Sequence, residues 1–479
     1  MSKNKVHSLL IAIICILIAG IIILPQLNRA TYSERTANLL PSITPGFTDA
    51  PTDNQTTPFD SNTPNNNVTD APNETYSPMP TAISTNGIAQ NNTVAPTISS
   101  ANKPTATNNK PISTIANQVA PTSAPTAATT KKVVGYYASW SAYSGYTPLN
   151  IQASKLTDIN YAFANIDADL KITMGDPNID PFNFAKLNEL KKSYPNINTL
   201  ISIGGWTWSD KFSDVCLSEN SRTIFADSVV AFIMQYGFNG VDIDWEYPVG
   251  GGLPTNIYRP EDKTNFTLLL KMLREKLDAQ GAIDGNRYFI SVAGGAGSNY
   301  VKNTELNQIY KYIDYANVMT YDIHGPWEKY SDFNAPLFDT AENTPQDNWS
   351  LDSSVKAWMA SGFPASKIVV GIPFYGYVYN GVSGSNNGLY STYTSSNSIG
   401  YDKLVSKYLS DTTFIQYFQT SANAPYISNG STFITYDDAH SIIDKAKYIS
   451  QNNFAGAAIW ELSQNKDGTL LTALSSNLK

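Results

Sequence analysis

The chain has 479 residues, enough for one large domain of roughly 250 to 350 residues together with additional segments. Its formal net charge of -8 at pH 7 offers no basic surface to a phosphate backbone, which argues against nucleic-acid binding. Cys15 and Cys216 are the only cysteines, and Cys15 lies in an apolar N-terminal run, so the core rather than a disulfide must hold the fold.

Residues 1–30 have the pattern of a signal peptide or an N-terminal membrane anchor. Lys3 and Lys5 precede an apolar run from Leu9 to Leu24. Residues 28–30 form a poor cleavage site, so we favour retention as an anchor whose lysine-bearing end is cytoplasmic. The segment predicts an extracellular protein, secreted or tethered to the cell surface, that contacts a membrane only through this segment.

Residues 31–130 are rich in Pro, Thr, Ser and Asn and contain few charges. A segment of this composition cannot bury enough apolar surface to form a core. We therefore predict a disordered linker between the N-terminal segment and the rest of the chain.

Short β-rich apolar runs alternate with helical segments from residue 131 to residue 479, which we predict to form one domain. The helical segments include 221–236 and 262–280, both with apolar residues at amphipathic spacing. Strands that alternate with helices predict an α/β fold, a (β/α)8 TIM barrel. The candidate strands are Lys132 to Tyr137, Leu156 to Asn165, Thr199 to Gly204, Gly240 to Glu246, Phe289 to Ala293, Ala316 to Tyr321, Ile368 to Pro373 and Ala455 to Trp460.

The interval from about residue 377 to residue 435 is too long for a single helical crossover and is rich in Tyr, Ser, Asn and Gly. Long segments inside compact domains are usually functional or separately folded. We predict a small α+β insertion between the seventh and eighth strands that forms one wall of a cleft.

Three acids stand at alternate positions of the predicted fourth strand: Asp242, Asp244 and Glu246. Alternate residues of a strand point to the same side, so the three carboxyl groups lie on one face. Like charges held this close in a partly dry site cannot all ionise at neutral pH, so at least one carboxyl stays protonated. Glu246 is nearest the mouth and is the candidate proton donor, while the deeper two must share a proton or bind hydroxyls.

A metal or another cofactor is not expected. The three histidines, His7, His324 and His440, are scattered without metal-ligand spacing. The chain has 29 Tyr and 8 Trp, whose rings can stack on the apolar faces of sugars, although most aromatic residues in any domain belong to the core.

Residues 239–246 read Asn-Gly-Val-Asp-Ile-Asp-Trp-Glu, and residues 202–205 read Ser-Ile-Gly-Gly. These segments resemble the signatures Asp-Gly-x-Asp-x-Asp-x-Glu and Ser-x-Gly-Gly of the glycoside hydrolase family 18 chitinases. Further matches are residues 135–137, 319–322 and 371–376, and Trp460. The resemblance covers about residues 131–479 in the family's strand order and includes the inserted subdomain of its deep-cleft members.

The resemblance implies a retaining reaction in which Glu246 protonates the glycosidic oxygen. The substrate's own N-acetyl carbonyl oxygen attacks the anomeric carbon and gives an oxazolinium ion, so no enzyme nucleophile is needed. Asp244 orients the acetamido group and offsets its developing charge. Asp242 takes up the shared proton, with Ser202 and Tyr136 as its hydroxyl partners.

A set of substrate-binding residues follows from the same resemblance. Tyr321 donates its hydroxyl to the acetamido oxygen, Met319 packs beside the acetamido methyl, and Trp460 forms the floor under the distorted sugar. Trp140 and Trp208 could line the cleft or cover the core. The expected substrate-binding residues are Tyr136, Trp206, Tyr247, Met319, Tyr321, Asp322, Trp327 and Trp460, of which Trp206, Tyr247 and Trp327 are stacking platforms.

The first signature Asp of the family is replaced by Asn239. Asn accepts the same hydrogen bonds but carries no charge, so the pH optimum could shift without loss of activity.

The expected substrate is chitin or another β-1,4-linked N-acetylglucosamine oligosaccharide, cut by a monomer. Two alternatives remain from the sequence: an endo-β-N-acetylglucosaminidase or cell-wall or spore glycan hydrolase with the same machinery, and a chitin-binding lectin without activity. The predicted insertion and the aromatic residues favour a long linear substrate, and the presence of Glu246 argues against a lectin.

Overall fold

A computed structural model describes residues 131–340 and 344–478. The predicted anchor at residues 1–30 and the predicted linker at residues 31–130 lie outside the described residues. Within the described ranges, no helix combines the length and the apolar character needed to cross a bilayer.

The structure is built from alternating strands and helices. In chain order the strands are β1 (Lys132–Ala138), β2 (Asp158–Ile166), β3 (Ile172–Met174), β4 (Asn198–Gly204), β5 (Gly240–Asp244), β6 (Phe289–Gly295), β7 (Tyr315–Met319), β8 (Ile368–Pro373), β9 (Tyr375–Asn380), β10 (Ser395–Gly400), β11 (Ile415–Gln419), β12 (Ala424–Ser428), β13 (Thr432–Thr435) and β14 (Gly456–Trp460). The α-helices are α1 (Asp180–Ser193), α2 (Phe212–Cys216), α3 (Glu219–Tyr236), α4 (Asp262–Asp284), α5 (Ser298–Asn303), α6 (Leu306–Ile309), α7 (Leu351–Ala360), α8 (Tyr401–Leu404), α9 (Ala439–Gln451) and α10 (Thr469–Asn477).

Eight parallel strands, β1, β2, β4 to β8 and β14, form a closed barrel. The barrel closes because β1 pairs with β2 on one side and with β14 on the other. The short strand β3 adds antiparallel to β2. This architecture confirms the predicted (β/α)8 TIM barrel.

The barrel strands have nearly continuous apolar sequences because parallel strands are buried on both faces. Every residue of β8 is buried. Helix α3 begins after Ser218, whose hydroxyl accepts a hydrogen bond from the Ser221 N–H, and ends where Gly237 adopts a left-handed conformation with φ 77°. Its buried residues Phe225 and Val229 belong to the main core, which joins the helices to the outer face of the barrel.

A five-stranded antiparallel sheet lies between barrel strands β8 and β14 along the chain, in the order β10-β9-β13-β12-β11. With helix α8 it gives the insertion an α+β composition. The sheet begins at Tyr375, two residues before the predicted start of the insertion, and its last strand ends at Thr435. Aromatic side chains such as Tyr379 and Phe433 form its core.

Two barrel strands end earlier than predicted, and the difference concerns the site. β5 ends at Asp244 and β7 at Met319, each two residues before the predicted strand end. Both neighbours of β5 also stop pairing at Asp244, opposite Gly204 and Ala293, so no strand remains to pair with Glu246. The residues predicted at these strand ends therefore lie in the loops at the carboxyl end of the barrel.

Candidate active site

Two acids of the fourth barrel strand, β5, and a third in the loop that follows it lie on the inner side of the barrel at its carboxyl end. Asp242, Asp244 and Glu246 are 0%, 3% and 9% exposed, so burial decreases toward the loop. Trp245 points the opposite way and stacks on Phe212 in the main core, with 5.5 Å between the ring centroids. Because successive residues point to opposite sides, the carboxyl groups of Asp242, Asp244 and Glu246 form a row, here called the acid row, on the side opposite Trp245 and the main core.

Asp242 is surrounded by hydrogen-bond donors. Its Oδ2 accepts from Ser202 Oγ at 2.7 Å and from the Tyr136 hydroxyl at 2.9 Å. Its Oδ1 accepts from Ser291 Oγ at 2.6 Å and from Asn317 Nδ2 at 3.4 Å. Burial raises the pKa of Asp242, and these four donors oppose that rise because they stabilise the ionised form.

Asp244 has the opposite surroundings. Its Oδ1 is buried and makes no hydrogen bond within the described part of the chain. Burial, followed by the charges of Glu246 and Asp242, raises the pKa of Asp244 well above its ordinary value. Donors that stabilise the ionised form surround Asp242, and none in the described part of the chain reaches Asp244 Oδ1, so of this pair Asp244 has the surroundings that favour the protonated form.

Glu246 is held by its backbone and leaves its carboxyl group at the barrel mouth. Its N–H donates to Ser209 Oγ at 2.9 Å, and its carbonyl accepts from Asn256 Nδ2 at 2.9 Å. Burial raises the pKa of Glu246 to about 7; a hydrogen bond with Tyr247 opposes the rise, and the charge of Asp322 adds to it. A carboxylic acid with a pKa near 7 can donate a proton at neutral pH.

Tyr321 and Asp322 follow β7 at the same end of the barrel. The Tyr321 ring lies edge-on to Tyr375 of the insertion, with 6.1 Å between centroids. Asp322 is exposed, but its Oδ1 accepts hydrogen bonds from the hydroxyls of Tyr375 at 2.5 Å and Tyr377 at 2.6 Å. The insertion therefore supplies direct partners to a predicted substrate-binding residue.

Trp460, the last residue of β14, lies in an aromatic cluster at the barrel mouth. Its ring stacks on Phe163 and lies edge-on to Tyr136, with 5.6 Å between the centroids of each pair. Trp140 completes the cluster at 6.4 Å from both Trp460 and Phe163, and it is 51% exposed. An apolar surface therefore adjoins the Tyr136 hydroxyl that binds Asp242.

The other predicted platforms are distributed around the mouth. Tyr247 lies edge-on to Tyr300 after β6, with 6.0 Å between ring centroids. Trp327 lies edge-on to Tyr377 of the insertion at 6.1 Å. Half-buried Trp206 follows β4.

The remaining two candidates near strand ends differ in their surroundings. Met319 is half-buried at the end of β7, opposite Gly295 of β6. The Trp208 ring packs so closely against Gly175, after β3, that a Cβ there would lie 2.4 Å from it. Trp208 therefore packs on the segment that follows β3, and its predicted place in the cleft or over the core stays a prediction.

Asn239 lies at the start of β5 and faces away from the acid row, since it is an odd number of residues from Asp242. Its Oδ1 accepts from the Thr199 N–H at 3.0 Å and from Lys191 Nζ at 3.1 Å. The residue that departs from the family signature thus joins strand β4 to helix α1 and contacts none of the three acids.

Comparisons with known proteins agree with this geometry. The sequence profile of Glycosyl hydrolases family 18 matches residues 132–465, more than half of the chain. The chain belongs to this family. The alignment with Chitinase A1 of Niallia circulans is 413 positions long at 40% identity and covers 74% of this chain and 59% of that protein. The alignment with Chitinase B of Serratia marcescens is 398 positions long at 31% identity and covers 69% of this chain and 77% of that protein.

Solved structures of the family superimpose on the described domain. A chitinase of Bacillus thuringiensis has a TM-score of 0.69 at 34% identity and covers 73% of this chain and 70% of its own. A family 18 N-acetylglucosaminidase of Paenibacillus barengoltzii has a TM-score of 0.67 at 34% identity and covers 73% of this chain and 100% of its own. The resemblance to family 18 chitinases is confirmed, although the chain spans only 59% of the Niallia protein.

The family 18 barrel also contains site residues that the sequence analysis missed. Ser291 and Asn317 donate to Asp242 from β6 and β7, and Ser291 stands directly opposite Asp242 in the sheet. Each is a polar residue within an otherwise apolar strand, and this is the signal that could have found them. Within the described ranges, no group of three His, Cys, Asp or Glu side chains is placed to hold a metal ion.

Proposed function

We propose that this family 18 protein hydrolyses β-1,4-linked N-acetylglucosamine polymers, chitin and its oligosaccharides, with retention of configuration. The observation that carries the proposal is that the three acids have different surroundings. Four donors bind Asp242, no donor in the described part of the chain reaches Asp244 Oδ1, and burial raises the pKa of Glu246 to about 7. These environments give three similar groups different protonation behaviour, as acid catalysis requires.

In the first step, protonated Glu246 gives its proton to the glycosidic oxygen as the bond to the anomeric carbon breaks. The acetamido carbonyl oxygen of the substrate forms a new bond to that carbon and leaves an oxazolinium ion. In the second step, ionised Glu246 takes a proton from water, the water oxygen bonds to the anomeric carbon, and the bond between that carbon and the acetamido oxygen breaks, which restores the amide. Two displacements at one carbon retain its configuration.

Asp244 stabilises the positive charge of the oxazolinium ion in this scheme. Its buried Oδ1 can accept the acetamido N–H, because no protein donor occupies it in the described part of the chain. Movement of the shared proton toward Asp242 makes Asp244 ionised while the positive charge exists beside it. Tyr321 and the Trp460 cluster orient the amide and support the sugar.

A product time course on chitin oligosaccharides tests the proposal. The wild type is expected to release the β-anomer first, and Glu246→Gln is expected to lower kcat by about 10²- to 10⁴-fold while oligosaccharide binding persists. Exposed Glu275, in a helical ion pair with Lys271, provides the control Glu275→Gln. An initial α-anomer, or full activity of Glu246→Gln or Asp244→Asn, would refute the mechanism.

A second candidate is release of N-acetylglucosamine from chain ends or cleavage of another N-acetylglucosamine glycan. The structural similarity to the Paenibacillus N-acetylglucosaminidase supports this second candidate. Product length separates the two: internal cleavage of a hexamer gives dimers to tetramers first, whereas terminal release gives the monomer from the first turnover. Glycoprotein and cell-wall substrates compared in parallel establish the polymer.

We further propose that the protein acts outside the cell. The lysine-flanked apolar run in residues 1–30 supports this location. Fractionation of the native organism, with antibody against the barrel, tests it: barrel antigen confined to the cytosol would contradict the proposal.

A further inference from the structure

We infer that Asn334 is a positioning residue that fixes Asp322 against the insertion sheet. Asn334 is 1% exposed and lies in the segment that follows β7. The inference rests on the proposed function, because it concerns a residue of the same active site. The Asn334 side chain has no described contact with the acid row or with the aromatic cluster around Trp460.

Three hydrogen bonds join Asn334, Asp322 and Tyr375 in a closed triangle. The Asp322 N–H donates to Asn334 Oδ1 at 2.9 Å. Asn334 Nδ2 donates to the Tyr375 carbonyl at 3.2 Å, and the Tyr375 hydroxyl donates to Asp322 Oδ1 at 2.5 Å. Both the backbone and the side chain of Asp322 are therefore fixed relative to strand β9.

The backbone of Asn334 is anchored as well. Its N–H donates to Thr435 Oγ1 of β13 at 3.1 Å, and its carbonyl accepts from the Ile323 N–H at 2.9 Å. Only a carboxamide of this size can accept from the Asp322 N–H and donate to a carbonyl at the same time. An aspartate there would lack the donor, and an apolar residue would lack both groups.

Asp322 needs such support because its backbone and its carboxylate are both in uncommon situations. Its φ of 52° lies in the left-handed region that non-glycine residues seldom adopt. Its carboxylate Oδ1 is held by the hydroxyls of Tyr375 and Tyr377, so a shift of the Asp322 backbone would break both hydrogen bonds. Asn334 therefore keeps a negative charge at the barrel mouth that would otherwise move away from Glu246.

The charge of Asp322 provides a measurable consequence. After burial, it is a further cause that raises the pKa of Glu246. Asp244, Tyr247 and Tyr321 also interact electrostatically with Glu246, but none of the three has a described hydrogen bond to Asn334. Release of Asp322 lowers the Glu246 pKa, so the loss of kcat/KM at high pH begins at a lower pH.

A double-mutant cycle with Asn334→Ala and Asp322→Asn tests the inference on chitin oligosaccharides. Each single change is expected to lower kcat/KM by roughly tenfold. Each is also expected to move the fall of kcat/KM at high pH, the basic limb of the pH profile, downward by about half a pH unit. In the Asp322→Asn background, Asn334→Ala is expected to change kcat/KM less than about twofold, because its effect passes through Asp322. If Asn334→Ala does not fold, Asn334→Ser takes its place.

Asn465 provides the matched control, since it is also buried and its Oδ1 accepts the Leu470 N–H at 2.9 Å beside helix α10. Asn465→Ala is expected to lower Tm without moving the basic limb. Additive effects in the cycle, or an Asn334→Ala variant whose basic limb does not move, would refute the positioning role of Asn334 and leave the proposed function standing. A wild type that leaves every N-acetylglucosamine oligosaccharide intact would overturn the proposed function and this inference with it.

Discussion

Removal of the Ser291 hydroxyl tests how the acid row distributes its shared proton. Ser291 makes the shortest of the four hydrogen bonds to Asp242, at 2.6 Å, and it is fully buried. Ser291→Ala keeps the volume of the side chain except for one oxygen, which makes it a change in electrostatics rather than in packing.

The expected magnitude follows from the hydrogen bond that is lost. A hydrogen bond to a charged group contributes about 1.5 to 3 kcal/mol, and three other donors to Asp242 remain, so the lower figure applies. Ionised Asp242 becomes less stable by about 1.5 kcal/mol, its pKa rises, and the shared proton is drawn from Asp244 toward it. Because this proton distribution differs from that of the wild type, we expect kcat/KM to fall about tenfold.

The assay is the pH dependence of kcat/KM on a fluorogenic chitin oligosaccharide, together with Tm at pH 5 and pH 8. The pKa of Asp242 in the folded protein is already above its ordinary value. As the pH rises and Asp242 ionises, the buried charge therefore lowers the stability of the folded protein. Ser291→Ala enlarges that cost, and its Tm deficit is therefore expected to be greater at pH 8 than at pH 5.

Ser354 provides the matched control for this variant. It is fully buried in helix α7, where its hydroxyl donates to the Ser350 carbonyl at 2.7 Å and accepts from Trp349 Nε1 at 2.9 Å. Ser354→Ala is expected to lower Tm equally at both pH values and to leave kcat/KM unchanged. Equal rates for Ser291→Ala and wild type, or a pH-independent Tm deficit, would refute the assignment of the shared proton.

Three further predictions concern Glu246, Asn239 and a buried ion pair. Since Glu246 must be protonated to act and burial raises its pKa to about 7, kcat/KM should fall about tenfold per pH unit above that value. Asn239→Asp should raise the urea-unfolding free energy by about 0.2 to 1 kcal/mol through Lys191, whose Nζ lies 3.1 Å from the amide oxygen, and leave the pH profile of hydrolysis unchanged. Lys445→Met should lower the unfolding free energy by about 3 to 5 kcal/mol, because it leaves Asp437 charged and buried.

Each of these has a control in the same chain. Lys447, in an exposed pair with Asp444, gives Lys447→Met, which is expected to change the unfolding free energy by less than about 1 kcal/mol. Exposed Asn196 gives Asn196→Asp, which changes the same residue type outside the Lys191 contact. A flat pH profile between pH 7 and pH 9, a shifted profile for Asn239→Asp, or equal stability of the two lysine variants would contradict the respective prediction.

The sequence by itself determined the features that depend on short-range periodicity. A period of two residues placed Asp242, Asp244 and Glu246 on one face and Trp245 on the other, and apolar runs separated by helical segments indicated the barrel. Periodicity predicted the strand ends less well, because a strand ends where its neighbours stop pairing with it. The predictions for residues 1–130 stay predictions, since those residues lie outside the described structure.

Only the tertiary structure decided how the three acids differ. Ser291 and Asn317 reach Asp242 from strands that are 49 and 75 residues away in the chain, while no described donor reaches Asp244 Oδ1. The partners of Asp322 likewise come from the insertion sheet, 53 and 55 residues further on. Such contacts depend on strand register and barrel closure, which are properties of the whole chain and leave no local pattern. The sequence therefore located the acids, and the fold assigned each of them its environment.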